Sequence, residues 1–75
     1  MTNKVLDCRG QRCPLPVIAL ARHLPELPVG ATIRVLADDP AAAIDIPAWC
    51  RLRNQDFIGS STVDNSAAYD IRRTS

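Results

Sequence analysis

The sequence predicts a two-layer α/β (α+β) sandwich with element order βαβαββ, a four-stranded mixed sheet carrying two helices on one face. Three observations lead there. The first half alternates a short strand pattern, a helical apolar spacing and a second strand pattern, the order of a right-handed βαβ crossover with parallel strands. The last third holds two strand patterns separated by a turn cluster, which implies an antiparallel hairpin. Two helices beside four strands cover one face of the sheet and leave the other to water.

Residues Asn3 to Cys8 alternate polar and apolar in part and run into a loop containing Gly10, so they are read as the first strand. The first helix starts at Pro14. Proline is tolerated at the first helical position because its missing N–H would have no intrahelical partner there, and this makes Cys13 the N-cap. Val17, Ile18, Leu20, Ala21 and Leu24 then follow the three-and-four spacing of an amphipathic helix, with Arg22 and His23 on the wet side. Pro25 ends it, since a residue before proline is pushed out of helical geometry. Glu26-Leu27-Pro28-Val29-Gly30 is a connector, and Thr32 to Ala37 is a β-branched, alternating strand with Ile33, Val35 and Ala37 on one side.

A second helix start follows, with Asp39 as N-cap and Pro40 first, and the helix runs from Ala41 to about Asn54 with a kink at Pro47. A later start, capped by Asp45, is the alternative. Ala41, Ile44, Ala48 and Leu52 form one apolar stripe and Ile46, Trp49 and Cys50 another, and the choice between them stays open. Phe57 and Ile58 begin a strand that loses its apolar character at Gly59-Ser60-Ser61. Asp64-Asn65-Ser66 is a turn, and Ala67 to Arg73 reads as the last strand, with Tyr69 and Ile71 opposite Asp70 and Arg72.

Seventy-five residues form one domain, 1–75, with neither an internal repeat nor a linker. A net charge of +1 gives no broad electrostatic footprint for nucleic acid or an anionic membrane. No apolar run approaches the roughly 20 residues of a bilayer span, and no signal-peptide core opens the chain, which leaves the cytoplasm and a monomer as the defaults. The 3 cysteines, Cys8, Cys13 and Cys50, are an odd number without zinc-ligand spacing, so neither a disulfide framework nor a metal site is expected, and no cofactor is called for.

Cys13 is the residue that demands chemistry. Ser, Thr, Asp or Asn would cap a helix better by about 1 kcal/mol, so a thiol there suggests use rather than stability. A helix N-terminus favours an anion and draws cysteine pKa values down, so Cys13 is expected to be a thiolate nucleophile. Pro14 and Pro16 remove two of the amide donors that would face the sulfur, and Arg9 and Arg12 are the candidates to supply positive charge instead. The competing view of Cys13 as a small buried hydrophobe fits poorly with a loop flanked by two arginines.

With Leu6-Asp7, Arg9-Gly10, the C-P-x-P signature Cys13-Pro14-Leu15-Pro16, Ala37-Asp38-Asp39-Pro40, and Asp45-Ile46-Pro47 followed by Trp49-Cys50, the chain resembles the TusA-like (SirA-like) sulfur-carrier family along nearly its whole length. The resemblance implies that Cys13 receives a sulfane sulfur as a persulfide and hands it to another protein, without turnover of its own. It implies a donor of the cysteine desulfurase or rhodanese type and an acceptor in tRNA thiolation, molybdenum-cofactor assembly or sulfur oxidation. Cys50 matches a cysteine that is not the carrier position. Gln11 stands where the family more often has leucine, and Cys8 also departs from the pattern. Arg9 and Arg12 would act as electrostatic helpers, Pro14 and Pro16 as scaffolding. Two other classes compete: a thiol redox module that closes a Cys8–Cys13 disulfide, and a non-catalytic regulatory or RNA-interaction module.

Overall fold

The computed structural model describes residues 2–75. Its elements are β1 (Lys4–Asp7), α1 (Leu15–His23), a 3-10 turn (Leu24–Glu26), β2 (Thr32–Ala37), α2 (Ala42–Leu52), β3 (Asp56–Val63) and β4 (Ser66–Arg72). The sheet order is β1-β2-β4-β3. β1 and β2 are parallel, whereas β4 is antiparallel to both β2 and β3. The expected βαβαββ order and mixed sheet are therefore present.

β2 occupies the centre, and its residues Ile33, Val35 and Ala37 are fully buried. They meet Tyr69 and Ile71 of β4 and the helix residues Leu20, Leu24, Ala42, Ile46 and Cys50 in one apolar cluster, so both helices cover the same face. On the opposite face Arg34 and Asp70, facing each other across β2 and β4, form a two-pronged ion pair of 2.8 and 3.0 Å. Leu36 and Ala68 beside them are nevertheless buried, so that face is not uniformly wetted.

The helix starts differ from those expected. α1 begins at Leu15, and Cys13 is not its cap. The Leu15 N–H turns back to the Arg12 carbonyl at 2.9 Å, and the Pro14 carbonyl accepts the first helical bond, from Ile18, also at 2.9 Å. Pro16, fully buried, takes the early helical position where an N–H is not required. The Cys13–Pro14 peptide bond is cis. At its far end α1 gives way to the 3-10 turn, which accommodates Pro25 early in the turn while His23 Nδ1 meets Glu26 Oε1 at 3.0 Å.

In α2 the alternative start at Asp45 is excluded, because the Asp45 N–H already donates to the Ala41 carbonyl at 2.9 Å. Asp39 Oδ1 accepts the Ala41 N–H at 3.0 Å and the Asp39 carbonyl accepts that of Ala42, so Asp39 organises the turn through Pro40, but the residue at the helix cap is Ala41 and the helix ends at Leu52, short of Asn54. The stripe of Ala42, Ile46 and Cys50 faces the core, while Ile44 and Leu52 are 72% and 77% exposed. Pro47 lies within the helix, and Ala43, whose carbonyl would have received its absent N–H, is exposed.

β3 continues through Gly59-Ser60-Ser61 to Val63 because it pairs along the length of β4, with a bulge between Phe57 and Gly59. Asp64 and Asn65 both have positive φ, 51° and 62°, as a two-residue hairpin turn between right-twisted strands requires.

Candidate functional site

Parallel strands end on the same edge of a sheet, so the loops after β1 and β2 meet, and the site lies there. The β1–α1 loop leaves the sheet at Cys8, whose N–H donates to the Leu36 carbonyl at 2.8 Å. It turns at Gly10, with φ 81°, and this N–H is held by both carboxylate oxygens of Asp38 at 3.0 and 3.1 Å. The Cys13 N–H donates to Asp39 Oδ2 at 2.8 Å. Asp39 thus spans two jobs, one oxygen on the start of α2 and the other on the loop that carries the thiol. The paired acids after β2 grip the backbone of the β1–α1 loop, a role beyond the helix capping expected of them.

Cys13 is partly exposed, and its thiol donates a hydrogen bond to Asp45 Oδ2 on the first turn of α2. Cys8 and Cys50 are free thiols buried in the core, 3% and 1% exposed. Beside Asp45 an open groove of about 290 Å³ runs between the helices, lined by Pro14, Val17, Asp45, Ala48, Trp49 and Leu52. Apart from Asp45 these walls are apolar side chains.

The electrostatics correct the expectation of a helix-stabilised thiolate. The Cys13 thiol is pushed up to about 11, first by its hydrogen bond to Asp45, then by burial and by the negative charges of Asp45 and Asp39. The cause is the local geometry. The helix opens two residues beyond the sulfur, Pro14 and Pro16 carry no N–H to aim at it, and the nearest charges are carboxylates. Arg9 does not serve Cys13, because its guanidinium is paired with Asp7 through contacts of 2.9 and 2.7 Å. Arg12 is exposed, and its charge acts on Asp39, whose carboxyl is held below its ordinary value chiefly by the Cys13 and Ala41 N–H groups. Pro14 forms one wall of the groove and Pro16 is packed inside, so both shape the turn around the thiol.

Asp45 is the site residue that sequence reasoning missed. It lies 32 residues from Cys13, and its signals in the sequence, a possible helix cap and a place in the Asp45-Ile46-Pro47 motif, did not point to a partner for the thiol. Among the described residues no group of three or more His, Cys, Asp and Glu is arranged to hold a metal ion, and no helix is long and apolar enough to cross a membrane.

Comparison with known proteins supplies the context. The family model described as Sulfurtransferase TusA matches residues 4–73. The Sulfur carrier protein TusA of Buchnera aphidicola subsp. Baizongia pistaciae is 33% identical over 72 residues, covering 96% of this chain and 91% of that protein. Among solved structures, a SirA-like protein from Desulfitobacterium hafniense superposes with a TM-score of 0.83 at 24% identity, over 96% of this chain and 99% of its own, a likeness of fold. With a family match over nearly all of its length and a relative of the same size, the chain belongs to the TusA sulfurtransferase family.

Proposed function

We propose that this protein is a sulfur carrier that accepts a sulfane sulfur on Cys13 as a persulfide and delivers it to an acceptor protein. The observation that carries this reading is the contrast among the thiols: Cys13 alone reaches the surface, beside an open groove, while Cys8 and Cys50 are buried. The relative from Buchnera aphidicola is named a sulfur carrier, and the family is one of sulfurtransferases.

Acceptance requires the Cys13 proton to leave and the resulting thiolate to attack the outer sulfur of a donor protein's persulfide. A new S–S bond forms at Cys13 as the donor's S–S bond breaks, and the donor cysteine departs as a thiolate that takes up a proton. The sulfur moves with no net oxidation or reduction, so neither metal nor cofactor enters the balance. Delivery repeats the exchange with an acceptor thiol attacking the sulfur on Cys13. A donor of the cysteine desulfurase or rhodanese type and an acceptor within a sulfur relay fit this chemistry. The site has room for such a visitor because the groove lies open on the surface.

The test is incubation with a persulfide donor followed by intact-protein mass measurement. The wild type gains one sulfur atom, Cys13→Ser gains none, and Cys8→Ser and Cys50→Ser still gain it. Loss of two hydrogens on oxidation, with no sulfur gained, would instead show a Cys8–Cys13 redox pair. Sulfur retained in Cys13→Ser would overturn the assignment.

A further inference from the structure

The contact that the carrier chemistry does not require is the one the site is built around. Cys13 Sγ–H donates to Asp45 Oδ2, and the same residue's backbone N–H donates to Asp39 Oδ2 at 2.8 Å, so the cysteine is clamped at two points by carboxylates from one segment of chain. The two carboxylates are differently engaged. Each oxygen of Asp39 accepts a backbone N–H, one from Cys13 and one from Ala41. The Asp45 side chain, in contrast, has Cys13 as its hydrogen-bond partner and joins no ion pair among the described residues. It stands on the rim of the apolar groove, half-buried, where screening by water is reduced.

We propose that Asp45 is the positioning residue of this site: by accepting the thiol hydrogen of Cys13 it holds the sulfur uncharged and docked against α2 between visits, so that sulfur acceptance waits until that contact is broken. The proposal rests on reading Cys13 as the sulfur-bearing thiol and adds the device that controls it. The charged groups facing the sulfur are Asp45 from α2 and Asp39 from the β2–α2 connection. Arg12, in the sulfur's own loop, bears on Asp39, and Arg9 is committed to Asp7. Both facing charges are negative, so each opposes an anion at Sγ, and only Asp45 also accepts the thiol hydrogen.

A thiol held in this way ionises at about 11, so at neutral pH only roughly one molecule in ten thousand carries the thiolate. Random oxidants and alkylating agents meet an inert sulfur. A docked donor that displaces or neutralises the Asp45 carboxylate restores an ordinary thiol where the donor persulfide is waiting.

The experiment is the pH profile of Cys13 alkylation by iodoacetamide, a neutral probe that reports the thiolate, with the labelled peptide identified by mass. The wild type is expected to show a midpoint well above the ordinary thiol value, close to 11. Asp45→Asn is expected to lower that midpoint by at least about one unit, raising the alkylation rate at pH 8 by about tenfold or more. Asp45→Glu, which keeps the charge within reach, is expected to retain the high midpoint. A wild-type midpoint at or below about 8.5 overturns the proposal without any variant being needed. Equal midpoints in wild type and folded Asp45→Asn overturn it as well. Sulfur loading by a persulfide donor is scored separately. A protein that loads sulfur on Cys13 but shows no dependence on Asp45 refutes this inference alone. One whose Cys13 midpoint follows Asp45 but which never loads sulfur refutes the carrier reading.

Discussion

Short-range charge pairing decides which residues are free to act on the thiol. Arg9 is four residues from Cys13 in sequence, yet Asp7, two residues behind it, captures its guanidinium with a two-pronged contact. The same contact holds the Asp7 carboxyl down at about 2. A carboxyl that ionises at lower pH in the folded chain than in the unfolded one stabilises the fold above its ordinary value of 3.8, and that contribution is lost as pH falls toward 2. Asp7→Asn is therefore expected to flatten the loss of stability between about pH 4 and pH 2, read from urea midpoints at stepped pH. Because the pair is exposed and screened the effect will be modest, and identical acid limbs in the two proteins would refute it. At this scale Cys13 was legible as a thiol outside the core, since a loop flanked by two arginines does not line a dry interior, whereas its expected place as a helix cap was not. Asp45 was not, because nothing in local spacing relates side chains brought together only by the meeting of two loops.

Elements were legible in proportion to how strongly burial constrains them. β2 runs over Thr32–Ala37 as read, because a central strand takes its limits from the apolar alternation itself. β3 is longer than its apolar residues suggest, since ladder hydrogen bonds to β4 carry it through Gly59-Ser60-Ser61 without help from side chains. α2 offered two stripes because small and β-branched residues are spread around it, and only contact with the sheet selects Ala42, Ile46 and Cys50. That selection has an energetic signature. Ile46→Ala is expected to cost about 3 kcal/mol, as a fully buried branched side chain leaves a cavity. Leu52→Ala is expected to change stability by no more than about 0.5 kcal/mol, because that side chain is already mostly in water. Denaturant titration separates the two, and comparable losses would show that α2 is rotated from this orientation.

For the molecule as a whole, the buried ionisable groups set the alkaline limit of the fold. Burial raises the Cys8 thiol and the Tyr69 phenol above their ordinary values, and it pushes the Cys50 thiol up to about 11. Each is more easily ionised in the unfolded chain, so their support for the fold is complete below the ordinary thiol value of 9.0 and is lost as pH rises above it, for Cys50 as pH climbs through about 11. Urea midpoints are expected to hold steady to about pH 8 and to fall from there to pH 11, and a flat profile would contradict the burial of these groups. The element order was readable at this scale because strand and helix periods differ. The crossover and the turn cluster gave the parallel β1–β2 and hairpin β3–β4 pairs, but which hairpin strand lies against β2 needed the structure, and composition agrees with the order β1-β2-β4-β3: apolar β4, with Ala68, Tyr69 and Ile71, takes the interior position, and serine-rich β3 the outer one.

The bulge between Phe57 and Gly59 lies on that outer strand, whose far side offers its N–H and C=O groups to any extended peptide that drifts alongside. By breaking the repeat of those groups near the start of the strand, it shortens the regular template that the open edge presents to a second molecule.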